Sequence, residues 1–517
     1  MARYKPIDRN PRLLPVVLSE QIQPGSFEFA LDHLVEHELD LSALDARFCN
    51  DETGASAYNP RVMLKIVLLG YSRGLISSRR IEAACLHNVQ FIAISGDSQP
   101  SYTHIAKFVR ELGDDIQALF TQVLLTCDRL GLIGKEMFAI DGVKLPANAS
   151  KERSGTHAEL AHRADRLDKA ARKIIEAHQR QDAGGDDSGL DERRAQRVAA
   201  LHKEAQATRD FLARNAGRRN RKGQELKTNV TDPDSAKMAT GKGVIQGYAA
   251  QAAVDSEHQV IVAAEVTGSG SEQAMLLPMV RASEAFRKHD TLITADAGYH
   301  STENLQALAE QNIDALIADN QMRQRDERCE GRDKHKAKPD PLYRKKPTGQ
   351  NQEDQKVRLY RPEDFQVAED ASHCICPAGR KLYSNGSGCT INGRRCHKYT
   401  GSKAGCGACE QRSQCLRHPE RTAVRQVAIF SKDQRSPNEV LQAMKQRIDS
   451  AEGRRRYSQR IGTVEPVFGN IRHNKQLNRF TLRGQHQVGT QWRLYCLVHN
   501  IEKLAGREMN MKMTMKK

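Results

Sequence analysis

The chain has 517 residues, too many for one ordinary domain, and the usual size range gives roughly two to four. Its 80 Lys and Arg against 64 Asp and Glu leave a net charge of +16, which favours a polyanionic partner, and nucleic acid is the commonest. No run of 18 apolar residues occurs and the amino terminus lacks a signal peptide's apolar stretch; this argues against a membrane span and secretion, and a cytoplasmic location is expected.

In chain order, residues 59–134 read as helices. "NPRVMLKIVLLGYS" carries a dense apolar face, Ser77 and Ser78 can cap a helix beginning near Arg79, and "SYTHIAKFVREL" after Pro100 gives a short basic amphipathic helix. Two short helices across a serine- and glycine-containing break resemble a helix-turn-helix, a pattern that packing alone also produces.

The period changes at "GKEMFAIDGVKL", where Met137 to Ile140 make a buried strand that ends in Asp141-Gly142. Residues 151–215 are charged and alanine-rich around a Gly184 to Gly189 break and read as two long helices in a hairpin; the basic stretch 214–227 after them can track phosphates. "GYAAQAAVDSEHQVIVAAEVTG" predicts two strands joined by a turn at Asp255 to His258. A helix, the strand "TLITADAG", a capped helix and the strand "IDALIAD" follow. The fold expected is α/β, a mixed sheet with helices on both faces.

From Gln321 to about Ser431 the composition turns strongly polar, and most of the twelve cysteines fall between Cys374 and Cys415. "CICPAG" and "CGACEQRSQC" have the spacing of two cysteine-bearing turns around a tetrahedral Zn²⁺, with Cys376, Cys406, Cys409 and Cys415 as the preferred ligands and Cys374, Cys396 and His397 as alternatives. Such a zinc-ribbon-like site is structural, because four thiolates leave no position for water. Helical spacing then returns, and "QHQVGTQWRLYCLVHNIEKLA" predicts a final helix able to pack on the sheet; the tail "MNMKMTMKK" reads as disordered.

Two strands thus end in an aspartate, Asp141 and Asp296. Either is at home in a turn, yet together they suit a site in which about three carboxylates hold paired Mg²⁺ ions for phosphoryl transfer. A third acid from a helix across the same edge is needed. Glu465 is the best candidate, with Thr463 as helix cap, Pro466 in the first turn and basic residues around it.

Five stretches now resemble the bacterial insertion-sequence DDE transposases over nearly the whole chain, most closely the eleven-eighty-two group: "YNPRVMLKIVLLGYSRGLISSRRIE", "AIDGVKLPANASK", "GYAAQAAVDSEHQVIVAAEVT", "TADAGYHSTENL" and "YSQRIGTVEPVFGNIR". The resemblance implies an RNase H-like core in which Asp141, Asp296 and Glu465 bind two Mg²⁺ ions, with Mn²⁺ as substitute, to cut the transposon end and join it to target DNA. It also implies DNA contacts by Tyr457, Arg460, Arg472 and Lys475, and a homo-oligomer on paired ends. The sequence departs from the family signature in placing four residues rather than three between Arg460 and Glu465, and in carrying arginine at position 472.

The organisation implied is a helical DNA-binding domain (1–134), a first part of the core (135–150), a helical-hairpin insertion (151–230), more core (231–320), a polar insertion with the cysteines (321–431), carboxyl-terminal helices bearing Glu465 (432–507) and a tail (508–517). Two other functions fit the same residues: an RNase H-like nuclease without strand transfer, and an inactive transposase-derived DNA-binding regulator.

Overall fold

The computed structural model describes residues 17–48, 56–182, 191–219, 223–241, 243–326, 359–385, 389–391, 394–430 and 439–506. The Gly184 to Gly189 break, the charged stretch before residue 359 and the tail from 508 lie outside them. Residues 1–343 with 444–517 form one compact unit and residues 344–443 another.

The larger unit is built on a mixed sheet. Strand β1 (Met137–Pro146) extends well past the expected end at Ile140, because it pairs antiparallel with the long β3 (Gly243–Asp255) from Phe138–Asp255 to Pro146–Gly247. The other edge of β3 carries β2 (Ala236–Thr240) and β4 (Ile261–Thr267), both antiparallel. On its free side β1 pairs in parallel with β5 (Leu292–Ala295), which pairs in parallel with β6 (Ala315–Ile317). The β3–β4 turn falls at Asp255 to His258 as expected. The buried Asp255 carboxylate fixes it by accepting N–H bonds from Gly134, Lys135, Glu257 and His258.

Amino-terminal helices α1 (Phe27–His33), α2 (Pro60–Ser72), α3 (Ser78–His87), α4 (Val89–Ser95), α5 (Tyr102–Glu111) and α6 (Asp115–Arg129) precede the sheet. Ser77 caps α3 through the Arg80 N–H, as its sequence suggests. Helices α7 (His157–Asp182) and α8 (Asp191–Arg214) form the expected hairpin, with Leu160, Ala164, Ala171 and Ala205 inside it and Arg209 paired to Asp168. Two short strands, Ser154–Gly155 and Thr228–Asn229, pair with each other at its base, and the Ser154 hydroxyl donates to Gln246 Oε1 of β3.

Helices α9 (Leu276–Ala282) and α10 (Thr302–Glu310) follow β4 and β5. After α11 (Glu439–Asp449) comes α12 (Ala451–Gly469), one unbroken helix capped by Ser450. This corrects the expected start at Thr463. Its hydroxyl donates to the Gln459 carbonyl mid-helix, and Pro466 lies in the last turn. Helix α13 (Gln485–Ala505) is buried along most of its length: Trp492 Nε1 donates to the Gln251 carbonyl, the Asn500 amide brackets Ile261, and Tyr495 stacks on Tyr71 of α2 at 4.6 Å. The sheet and the amino-terminal helices therefore share one core, closed by α13.

The smaller unit is a twisted antiparallel sheet in which β7 (His373–Ile375), β8 (Lys381–Ser384), β9 (Arg394–Thr400) and β10 (Gln426–Phe430) pair in that order. Its core is small, formed by Phe365, Cys374, Leu382, Tyr399 and Val427.

Candidate active site

The parallel register ends with Ile140 opposite Ala295, so Asp141 and Asp296 are the next residues on two neighbouring strands. Parallel strands lie roughly 5 Å apart, which places the two acids side by side at one sheet edge. Each is oriented by the N–H of a glycine: Gly142 donates to Asp141 Oδ1 at 2.8 Å, and Gly298 to Asp296 Oδ1 at 2.8 Å. Asp296 thus also caps the short helical turn Ala297–Tyr299, so the turn role and a place at the site coexist in one residue.

Helix α12 crosses this edge and delivers Arg460, whose Nη1 lies 2.9 Å from Asp141 Oδ2. Arg460 is 9% exposed, and its Nε has no hydrogen-bond partner. One turn earlier, Tyr457 sets its ring 5.8 Å from the guanidinium and packs on the cluster of Met137, Leu292, Leu316 and Ile448. Burial pushes the Asp141 carboxyl above its ordinary value; Arg460 and the Gly142 N–H pull it down, and the charge of Asp296 pushes it up again.

A further acid stands here that no sequence pattern marks. Glu272, in the loop between β4 and α9, has a side chain only 13% exposed, with Oε1 3.7 Å from Lys144 Nζ on β1. Burial raises its carboxyl, Lys144 opposes that, and the charges of Asp296 and Asp141 add to the rise. Below it the buried Tyr299 hydroxyl donates to Gln251 Oε1. A lone glutamate in "GSGSEQ" carries no spacing that marks it; only the fold brings it to the edge.

The other predicted residues separate. Glu465 is exposed on α12 and stands five residues from Arg460, about 140° round the helix. Arg472 is half-buried in the π-helical turn Asn470–Asn474 that follows α12. Lys475 is buried and ion-paired to Glu502 at 2.5 Å, so its charge is spent inside the protein and it is withdrawn as a DNA contact. Among the described residues no group of three or more His, Cys, Asp or Glu side chains closes on a point that could hold a metal ion.

In the smaller unit, Cys376, Cys406, Cys409 and Cys415 line one cavity. The Cys376-Pro377-Ala378-Gly379 turn has Gly379 at φ +71°, and the next N–H, of Arg380, points at Cys376 Sγ at 3.3 Å. A Cβ on Gly401 would stand 2.6 Å from Cys406 Sγ, so this glycine lets the second cysteine segment close in. Cys374 is instead a core thiol, which burial pushes up to about 11.

No helix among the described residues is long and apolar enough to cross a membrane. No curated protein and no solved structure matches the chain. Two families do. One described as Transposase DDE domain matches residues 375–505, and one described as Transposase domain (DUF772) matches residues 16–111. The first includes Glu465 and the cysteine cavity; Asp141 and Asp296 lie outside both, and their pairing rests on the sheet. Together the two matches support an insertion-sequence transposase, a class of protein that acts on DNA.

Proposed function

We propose that the chain is a DDE transposase, closest to the eleven-eighty-two group, that binds transposon-end and target DNA and carries out metal-dependent strand cleavage and strand transfer. The observation that carries this reading is the Ile140–Ala295 register, which sets Asp141 and Asp296 side by side beneath Arg460. The sheet order, with β4, β3 and β1 antiparallel and β5 and β6 following β1 in parallel, supports an RNase H-like core.

Hard carboxylate oxygens are the donors that Mg²⁺ and Mn²⁺ prefer, and Asp141 and Asp296 would hold them; Glu465, which lies round the helix from Arg460, is the third ligand that the family resemblance implies. When bound, the ions offset negative charge on the attacking and leaving oxygens of the phosphate. The glycine N–H bonds fix one oxygen of each aspartate, and the second oxygen of Asp141 lies against Arg460. Arg460, with a buried Nε in want of an acceptor, suits a phosphate oxygen, and Tyr457 holds its plane. Arg472 adds positive charge beyond α12. The homo-oligomer on paired ends is part of this reading.

The four cysteines around one cavity support a structural Zn²⁺ in the smaller unit, since soft thiolates suit that metal.

The test is a paired-end strand-transfer assay on duplexes carrying the sequences that flank the gene, with Mg²⁺. Wild type should cleave and join, and Glu465→Gln should do neither while still shifting the duplex on a gel. Cleavage without joining by the wild type would replace transposase by nuclease.

A further inference from the structure

We infer that Glu272 is a metal ligand of the catalytic edge, sharing a divalent cation with Asp296. The inference rests on the reading above and adds a residue to it. Gly298 locates the contact: a Cβ built there would stand 3.0 Å from Asp296 Oδ1 and 3.2 Å from Glu272 Oε2. Two carboxylate oxygens therefore lie within about 6 Å of each other over one residue, where a side chain at 298 would crowd both. They come from separate parts of the chain, one from the end of β5 and one from the loop after β4.

Two like charges held this close in a largely buried place repel each other unless a cation lies between or beside them. Lys144 is the nearest cation to Glu272, and at 3.7 Å it is longer than a charge-assisted hydrogen bond. Arg460 is engaged by Asp141.

A second feature points to a ligand at the same edge. Gln251 is fully buried, its Oε1 is taken by the Tyr299 hydroxyl, and its Nε2 has no hydrogen-bond partner. That amide lies over Gly142, the residue after Asp141, where a Cβ would stand 2.5 Å from Nε2. This spare N–H does not touch a cation itself but can orient a ligating oxygen or a water on the ion. Glu272 stands just before the short turn Gln273–Met275 that leads into α9. A hard dication recruits such oxygens in preference to an ammonium group.

The competing account makes Glu272 only the partner of Lys144, holding the loop to β1. Mn²⁺ binding to the purified full-length protein, read from the loss of the free-ion electron paramagnetic resonance signal, separates the two. Glu272→Gln should weaken Mn²⁺ binding roughly tenfold or more, as Asp296→Asn does, with a melting temperature close to wild type. Lys144→Met should leave Mn²⁺ binding unchanged or tighter, because it frees the carboxylate. Should Glu272→Gln disturb the fold, Glu272→Asp, which keeps the charge and shortens the reach, should fall between it and wild type.

Wild-type Mn²⁺ affinity in Glu272→Gln, with Asp141→Asn and Asp296→Asn both impaired, would overturn this inference and leave the proposed function standing. Equal weakening by Glu272→Gln and Lys144→Met would assign Glu272 to the loop. If none of the acids affects Mn²⁺ binding, the metal-dependent reading of the edge falls with it.

Discussion

Two places in this molecule gather side chains of one kind: carboxylates in the middle of β1 and just past β5, and thiols in the unit of residues 344–443. The acids are separated by 155 positions in sequence, from 141 to 296, and are held by backbone hydrogen bonds inside a sheet with a large core. Their proximity opposes their charge, and burial and mutual repulsion raise Asp141. The cysteines span 40 positions, from 376 to 415, and are held by short strands and turns over a five-residue core. On the proposed reading the edge is prebuilt by the fold and takes a cation for chemistry, whereas so small a core would take a cation to stay folded.

The largest effect should follow from Asp141→Asn. Asparagine keeps the shape and the Gly142 contact but removes the charge, so end cleavage with Mg²⁺ should fall by roughly 10³-fold or below detection, while gel-shift binding and the circular dichroism spectrum stay as in wild type. Full cleavage by this variant would break the comparison at once, because the edge would then not be the site of chemistry.

Next in size is the response of the smaller unit. Cys409→Ser should lower the zinc content of the purified protein from one equivalent towards none and expose residues 359–430 to limited proteolysis. The sheet of the larger unit should keep its protection. A zinc chelator should reproduce this on the wild type. Bound zinc that survives the substitution would remove Cys409 from the ligand set.

These two regions also differ in how far the sequence disclosed them. Asp296 at its strand end, the β3–β4 turn, the helical hairpin and the final helix were legible, because period and turn residues are local signals. The extension of β1 to Pro146 was not, since pairing with β3 decides it and "DGVKLP" has little strand character of its own. Helix α12 was placed too short, because Pro466 reads as a first-turn proline although a helix tolerates it near its end at the cost of one hydrogen bond. Lys475 looked like a free cation, and only the approach of α13 shows it spent on Glu502. Glu272 was invisible for the same reason: its neighbours are distant in sequence. The cysteines announced themselves by spacing alone.

A smaller effect should come from Arg460→Lys. Lysine can pair with Asp141, yet it loses the Nε donor and the plane that lies against Tyr457. End cleavage should fall roughly tenfold with Mn²⁺ binding unchanged, which would separate the phosphate-gripping part of the edge from its metal-holding part. Equal loss of both would mean that Arg460 mainly shapes the aspartate.

The smallest effect concerns what keeps the edge rigid. His499 of α13 is buried, with Nε2 2.9 Å from the Gln259 carbonyl and Nδ1 3.1 Å from Asn470 Nδ2. The ring therefore donates from Nε2 and accepts at Nδ1, and a second proton would face the Asn470 amide. Burial lowers its pKa from 6.5 to about 3. Because the folded value is depressed, the contribution to stability is intact above pH 6.5 and is lost as the pH falls towards 3, where the unfolded chain takes up a proton that the folded one refuses. At pH 5 the loss should be about 2 kcal/mol. Urea unfolding of the wild type and His499→Gln at pH 7.5 and 5 isolates it from the carboxylates, which titrate in both. The variant should lose less stability than the wild type over that interval, by about that amount. An identical loss would mean that the ring is protonated in place and that α13 is not a rigid support for the sheet carrying Asp141 and Asp296.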